Sequence, residues 1–317
     1  MTSRRRTEKA TDSQWNSRCC NAWFGSPAAL LTVLAGAPVG AVGEWRKAGD
    51  DARSGVSGLA YEGRTAGGAG VRALVVHDNK RLGQQRLSRL THRAGSDGVA
   101  PITWNGPETR RSGSHRGHPG DAGGVPGARQ PRHRLPLEGH RLLDYFPLPG
   151  IGEGDDFESF ALVAREGKLA ALRADRGAGA ERHATLYAAP LTFAPWRQPQ
   201  FGAPTRRAYL AAYPTGEGTR HISDISVTDS GRIIVSSASD AGDDTPFDSA
   251  VSDAGRVTVS AAGRVRVALA ALPTVLGTFP GYKAEAVECL PGTSDALLGT
   301  DDENLGGHVR AMPFCGA

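Results

Sequence analysis

Aromatic side chains are scarce, only 6% of the 317 residues, and there are just two methionines. A buried core must therefore be built from Val, Leu, Ala and Ile. No apolar run is long enough to span a bilayer. The longest, Ala28 to Val42, falls short of the roughly 20 residues a membrane helix needs. There is no C-x-x-C pair, which excludes the common structural zinc sites. There is no G-x-S-x-G elbow for a serine hydrolase and no G-x-x-x-x-G-K-S/T loop for nucleotide phosphates. Charge of one sign is missing too. The formal net charge is +4 and the pI about 9.0, but arginines crowd into 1–20 and 107–141. No basic face interleaved with aromatics remains, so a nucleic-acid partner is not expected.

What the chain has in plenty is turn chemistry. Its 42 glycines and 20 prolines, set between short apolar runs, suit many tight turns between short strands rather than long helices. Residues 1–50 read as an address rather than fold. Arg4, Arg5, Arg6, Lys9 and Arg18 precede the apolar run, and small residues at Ala35-Gly36-Ala37 or Ala41-Val42-Gly43 offer cleavage points. This predicts export; the alternative is a disordered leader carrying a chance apolar run. Of four cysteines, Cys19 and Cys20 lie in that leader. Cys289 and Cys315 remain, either bridged, as suits an oxidising compartment, or as two buried thiols.

The remaining sequence repeats a two-stranded unit. One copy runs Val56–Tyr61 and returns through Ala73–Val76 to His77-Asp78-Asn79. A second runs Asp155–Val163, turns at Arg165-Glu166-Gly167 and returns through Lys168–Leu172 to Asp175. A third runs Ile222–Val227, turns at Asp229-Ser230-Gly231 and returns through Ile233–Ser236. The last runs Glu285–Leu290, turns at Pro291-Gly292-Thr293-Ser294-Asp295 and returns through Ala296–Thr300. Linking strands are predicted at 184–189, 207–213, 256–259 and 264–269. A four-stranded sheet cannot bury both of its faces alone, but sheets set radially bury one another. The prediction is all-β, a β-propeller of five to six blades over 51–317.

Three copies carry an acid at the start of the first strand and another at the end of the second. The pairs Glu158/Asp175, Asp224/Asp240 and Glu285/Asp301 are 17, 16 and 16 residues apart. An antiparallel hairpin sets those two positions side by side, so all copies would present carboxylates at one mouth of the channel. Hard cations want clustered carboxylate oxygens; Glu158, Asp224, Asp240, Glu285, Asp301 and Asp302 are the candidate calcium ligands. The bland alternative is that these acids merely solvate strand ends. The same applies to the Asp240–Asp248 stretch, either a calcium loop or a solvated turn.

Residues 107–136 break the pattern. They are Arg-, His- and Gly-rich with almost no apolar side chains. A basic binding loop and a disordered insert are two readings. A third is a stretch translated out of frame. Shifted by one base, permitted codons for Arg111–Leu135 can yield an acid-first strand, a Pro-Gly turn and a second apolar strand, the inner hairpin missing between the first two copies.

With the repeats laid out, the chain resembles exported bacterial β-propellers of the phytase-like type, often labelled "esterase-like activity of phytase". The residues carrying the likeness are Ser57–Tyr61, Asp155–Ala161, Ser223-Asp224-Ile225, Lys283–Ala286 and Asp301–Asn304. The resemblance implies a secreted monomeric propeller, calcium at the acidic mouth, and hydrolysis of phosphate or carboxylic esters. His77, Asp78, Lys80, Arg220 and Lys283 are the candidates for contacting a small-molecule or phosphoester ligand. The alternative is a propeller that binds a ligand or serves as a scaffold without turnover.

Overall fold

The computed structural model describes residues 43–79, 83–93, 95–103, 132–137, 141–150, 154–195, 198–239, 242 and 246–316, with 132–137 and 141–147 as backbone only. Most of the leader, the 104–131 stretch, Lys80 and Asp240 lie outside them. The described elements are β1 (Arg46–Gly49), β2 (Gly58–Arg64), β3 (Gly70–Val76), β4 (Leu87–Arg93), β5 (Ser96–Ile102), β6 (Arg132–Leu137), β7 (Arg141–Pro147), β8 (Phe157–Arg165), β9 (Lys168–Asp175) and β10 (Ala184–Phe193). They continue as β11 (Pro199–Phe201), β12 (Thr205–Tyr209), β13 (Thr219–Val227), β14 (Arg232–Ser239), β15 (Ser249–Val259), β16 (Val265–Thr278), β17 (Ala284–Cys289), β18 (Ala296–Thr300) and β19 (Gly307–Met312). One 3₁₀ turn, Glu303–Leu305, interrupts this all-β order. Among the described residues no helix is long and apolar enough to cross a membrane.

Four sheets form a propeller arrangement. Their orders are β2-β3-β4-β5, β8-β9-β10 with β11 and β12 sharing the far edge of β10, β13-β14-β15-β16, and β17-β18-β19-β1. Every pairing within them is antiparallel. The innermost strands β8, β13, β17 and β2 lie beside one another in that sequence. The last blade takes its outer strand from β1, near the start of the described chain, so the two ends of the domain are tied in one sheet. β1 falls inside the 1–50 segment read as a leader, and β6 begins inside 107–136 and pairs with β7 beyond it. Four blades are described, against an expectation of five to six; β6 and β7 are a separate two-stranded sheet between the first two blades.

Blade stacking explains the composition. A strand second from the axis is covered on both faces by neighbouring blades, so β14 and β18 are buried almost end to end. They read as Ile-Ile-Val-Ser-Ser-Ala and Ala-Leu-Leu-Gly-Thr rather than alternating apolar and polar. Small side chains let the sheets approach. Gly299 packs against the Val56 side chain, leaving no room for a Cβ. The apolar clusters run between blades: Leu172, Leu186, Ile222 and Ile233 in one, Val56, Leu90, Leu290 and Leu297 in another. At about 25 cal/mol per Å² of apolar surface removed from water, these contacts supply the main cohesion of a chain with few aromatics. The third cluster, Val287, Leu298, Phe279 and Phe314, also contains Cys289 and Cys315. Those two sulfurs are joined in a disulfide with Cα atoms 5.6 Å apart.

Candidate functional site

Four hydrogen-bonded joints bring the leading ends of the inner strands together. Val56, just before β2, donates its N–H to the Thr300 carbonyl at 2.8 Å, at the end of β18. Asp301 donates its own to the Lys283 carbonyl at 3.0 Å, just ahead of β17. His221 on β13 donates to the carbonyl of Arg176, the residue after β9, at 2.9 Å. Across blades, Arg220 Nη1 of β13 donates to Glu285 Oε1 of β17 at 2.7 Å. The strand starts and the paired strand ends therefore share one end of the channel.

Glu158, Glu285 and Asp301 all lie at this end, but each has company. Arg176 contacts Glu158 at 3.2 Å and Asp156 at 2.9 Å. Arg182 pairs with Asp175, whose Oδ1 also accepts the Asp156 N–H at 2.7 Å. Lys283 is the centre of the arrangement. Its side chain is only 1% exposed, and its ammonium pairs with Glu303 and lies 3.2 Å from Glu285. Burial works to lower the Lys283 pKa, Arg220 works the same way, yet Glu285 and Glu303 outweigh both and the net shift is upward. The mouth is thus a lattice of alternating charges, self-neutralised across blades.

Asp301 is the exception. Its carboxyl packs on Gly55, where a Cβ would overlap it, and accepts the Ser57 hydroxyl at 2.9 Å. Burial, with Glu285 adding repulsion, pushes its pKa up to about 6 despite the Ser57 hydrogen bond.

Asp224 is not at the strand start. β13 begins earlier, at Thr219, which faces Ser239, and an irregular register between Arg220 and Asp224 sets Asp224 opposite Ser236. The apparent match of spacings placed it too near the mouth, because the polar residues Thr219, Arg220 and His221 ahead of the apolar run extend the strand. Across the boundary to the last blade, its Oδ2 accepts the Val287 N–H of β17 at 2.9 Å. Burial raises its pKa well above the usual value, against the hydrogen bonds from Val287 and Ile225. Asp302 sits behind the mouth and is buried. Its carboxylate accepts the Lys283 N–H at 2.7 Å and the Thr300 hydroxyl at 2.6 Å, and contacts His308 Nδ1 at 2.9 Å.

Among the described residues no three His, Cys, Asp or Glu side chains form a group that could hold a metal, and the Lys283 ammonium stands where a cation would be drawn. Asp240 and Lys80 lie outside the described residues. His77 is buried: Nδ1 meets the Gly55 carbonyl at 2.7 Å and Nε2 the Ser88 hydroxyl at 2.8 Å. Asp78 contributes its backbone N–H to Ser57 Oγ at 3.2 Å.

Two residues escaped the sequence reading. Arg176 carries no motif; only its place directly after the acid Asp175 hints at a role. Glu288, on the same strand as Glu285, lies in the seam between blades. It accepts the Tyr61 N–H of β2 at 2.9 Å and faces Ser226 Oγ of β13 at 3.4 Å. Burial pushes its pKa up to about 7, against both hydrogen bonds.

No protein-family model matches this chain, and no curated protein matches its sequence. The propeller arrangement thus rests on the geometry above.

Proposed function

We propose that this protein is a non-catalytic, ligand-binding β-propeller whose channel mouth takes a small, neutral, hydroxyl-rich molecule. One observation carries the reading: the Lys283 ammonium sits between Glu285 and Glu303, with Arg220 on Glu285 as well. The cations that a phosphoester would need and the carboxylates that a metal ion would need are already committed to one another. What remains at the surface of the mouth are the part-exposed Ser57 and Arg220 beside the carboxylates of Asp301 and Glu285, whose oxygens can each accept a further hydrogen bond, a setting that ligand hydroxyls, which both donate and accept, can match. The likeness to phytase-like propellers then extends to layout and not to turnover. Export to an oxidising compartment belongs to the same proposal, supported by the Cys289–Cys315 disulfide.

The test is thermal unfolding of the full chain with glucose and sorbitol, set beside turnover of p-nitrophenyl phosphate and p-nitrophenyl acetate. A saturable rise in Tm with one polyol, lost in Asp301→Ala and unaccompanied by hydrolysis, is the expected result. Turnover of either ester that disappears in Lys283→Met would overturn it in favour of an enzyme.

A further inference from the structure

A concavity lies where the outer strand β1 of the last blade meets the outer strand β5 of the first. This cleft has a volume of about 560 Å³, within the range of small-molecule sites. From its lining we infer a binding site for a small zwitterion of the α-amino-acid class, independent of the reading given to the mouth.

The argument begins at the rim. Asp51 and Arg53 both line the cleft, in a loop fixed by backbone hydrogen bonds. Ser54 donates N–H to the Asp51 carbonyl at 2.9 Å, and Arg53 donates its backbone N–H to Asp51 Oδ1 at 2.8 Å. The Arg53 guanidinium has no ion-pair partner among the described residues, and neither has the Asp51 carboxylate. One free charge of each sign, two residues apart, matches a ligand with an ammonium and a carboxylate on one short carbon skeleton. A single-charge ligand would leave one of them unanswered.

The floor adds a directed acceptor. His77 donates Nδ1–H to the Gly55 carbonyl, and burial lowers its pKa, so the ring is neutral at pH 7. Its Nε2 then accepts the Ser88 hydroxyl proton. With its proton committed, Ser88 Oγ offers only lone pairs, the right polarity for a ligand ammonium. His77 is a positioning residue that fixes this polarity. Val99 and Pro101 supply an apolar wall for the ligand's side chain.

Calorimetric titration of the full chain with glycine, L-alanine, ethylamine and propionate tests the site. The two amino acids are expected to bind, with each single-charge half at least about tenfold weaker, the scale of one charge-assisted hydrogen bond. Arg53→Ala should weaken amino-acid binding about tenfold or more. Arg53 is exposed, so that variant should keep its fold. Val99→Trp, which fills the cleft, should give the same loss, and Lys168→Ala on another blade should not. Absence of amino-acid binding, or binding unchanged in both Arg53→Ala and Val99→Trp, would overturn the inference.

Discussion

Replacing Glu288 by Gln should make the protein more stable at pH 8 and leave it almost unchanged near pH 4.5. The Glu288 carboxyl is half-buried in the seam where β17 meets β2 and β13, and its pKa stands at about 7 against an ordinary 4.5. The folded state thus holds this proton more tightly than the unfolded chain does. Below pH 4.5 both states are protonated and the group is silent. Between 4.5 and 7 the unfolded chain releases its proton while the folded one keeps it, so stability falls as pH rises; above 7 the loss is complete. A shift of that size corresponds to about 3 kcal/mol at 1.36 kcal/mol per unit. Glutamine keeps an acceptor for the Tyr61 N–H and carries no charge, so it should recover most of that amount at high pH. Urea unfolding of both proteins at pH 4.5 and pH 8 measures it, because the pH dependence of other groups largely cancels in the difference. Equal stabilities at pH 8, or the same gain at both pH values, would refute the reasoning.

Other perturbations test other joints. Lys283→Met removes the buried cation between Glu285 and Glu303 and should cost about 3–5 kcal/mol, read as a fall in Tm. Reducing Cys289–Cys315, which closes a separation of 26 residues, should cost roughly 3.5 kcal/mol in the chain-entropy account, measured by urea unfolding with and without reductant. Asp224→Ala deprives the buried Val287 N–H of its acceptor and should cost about 1–3 kcal/mol, whereas Asp224→Asn, which keeps an acceptor oxygen, should cost clearly less.

The inner hairpins were legible because they are local. Apolar runs bounded by Arg165-Glu166-Gly167, Asp229-Ser230-Gly231 and Pro291-Gly292 give β8–β9, β13–β14 and β17–β18 within a few residues. The predicted mouth was legible where an acid lies within a residue of the strand start, even though the register shifts there: Glu285 and Asp301 flank the pair Ala284 and Thr300, and Glu158 adjoins Phe157, which faces Asp175. Asp224 shows where counting fails, since β13 begins earlier, at Thr219, and leaves the acid in the middle of the strand. The neutralising partners were illegible for a different reason. Arg220 and Glu285 are 65 residues apart, and their meeting depends on blade packing, which leaves no short-range trace. Outer strands were located but their extents were not, because β15 and β16 continue as Ser-, Gly- and Pro-containing stretches held by ladder pairing rather than apolar alternation.

The most direct measurement is a calorimetric titration of calcium into the metal-free full chain, repeated on Glu285→Gln. With Lys283 and Arg220 already answering the carboxylates of the mouth, neither protein should give saturable heat up to millimolar calcium. Binding in the unaltered chain that vanishes in Glu285→Gln would contradict a self-neutralised mouth and restore a metal-holding one.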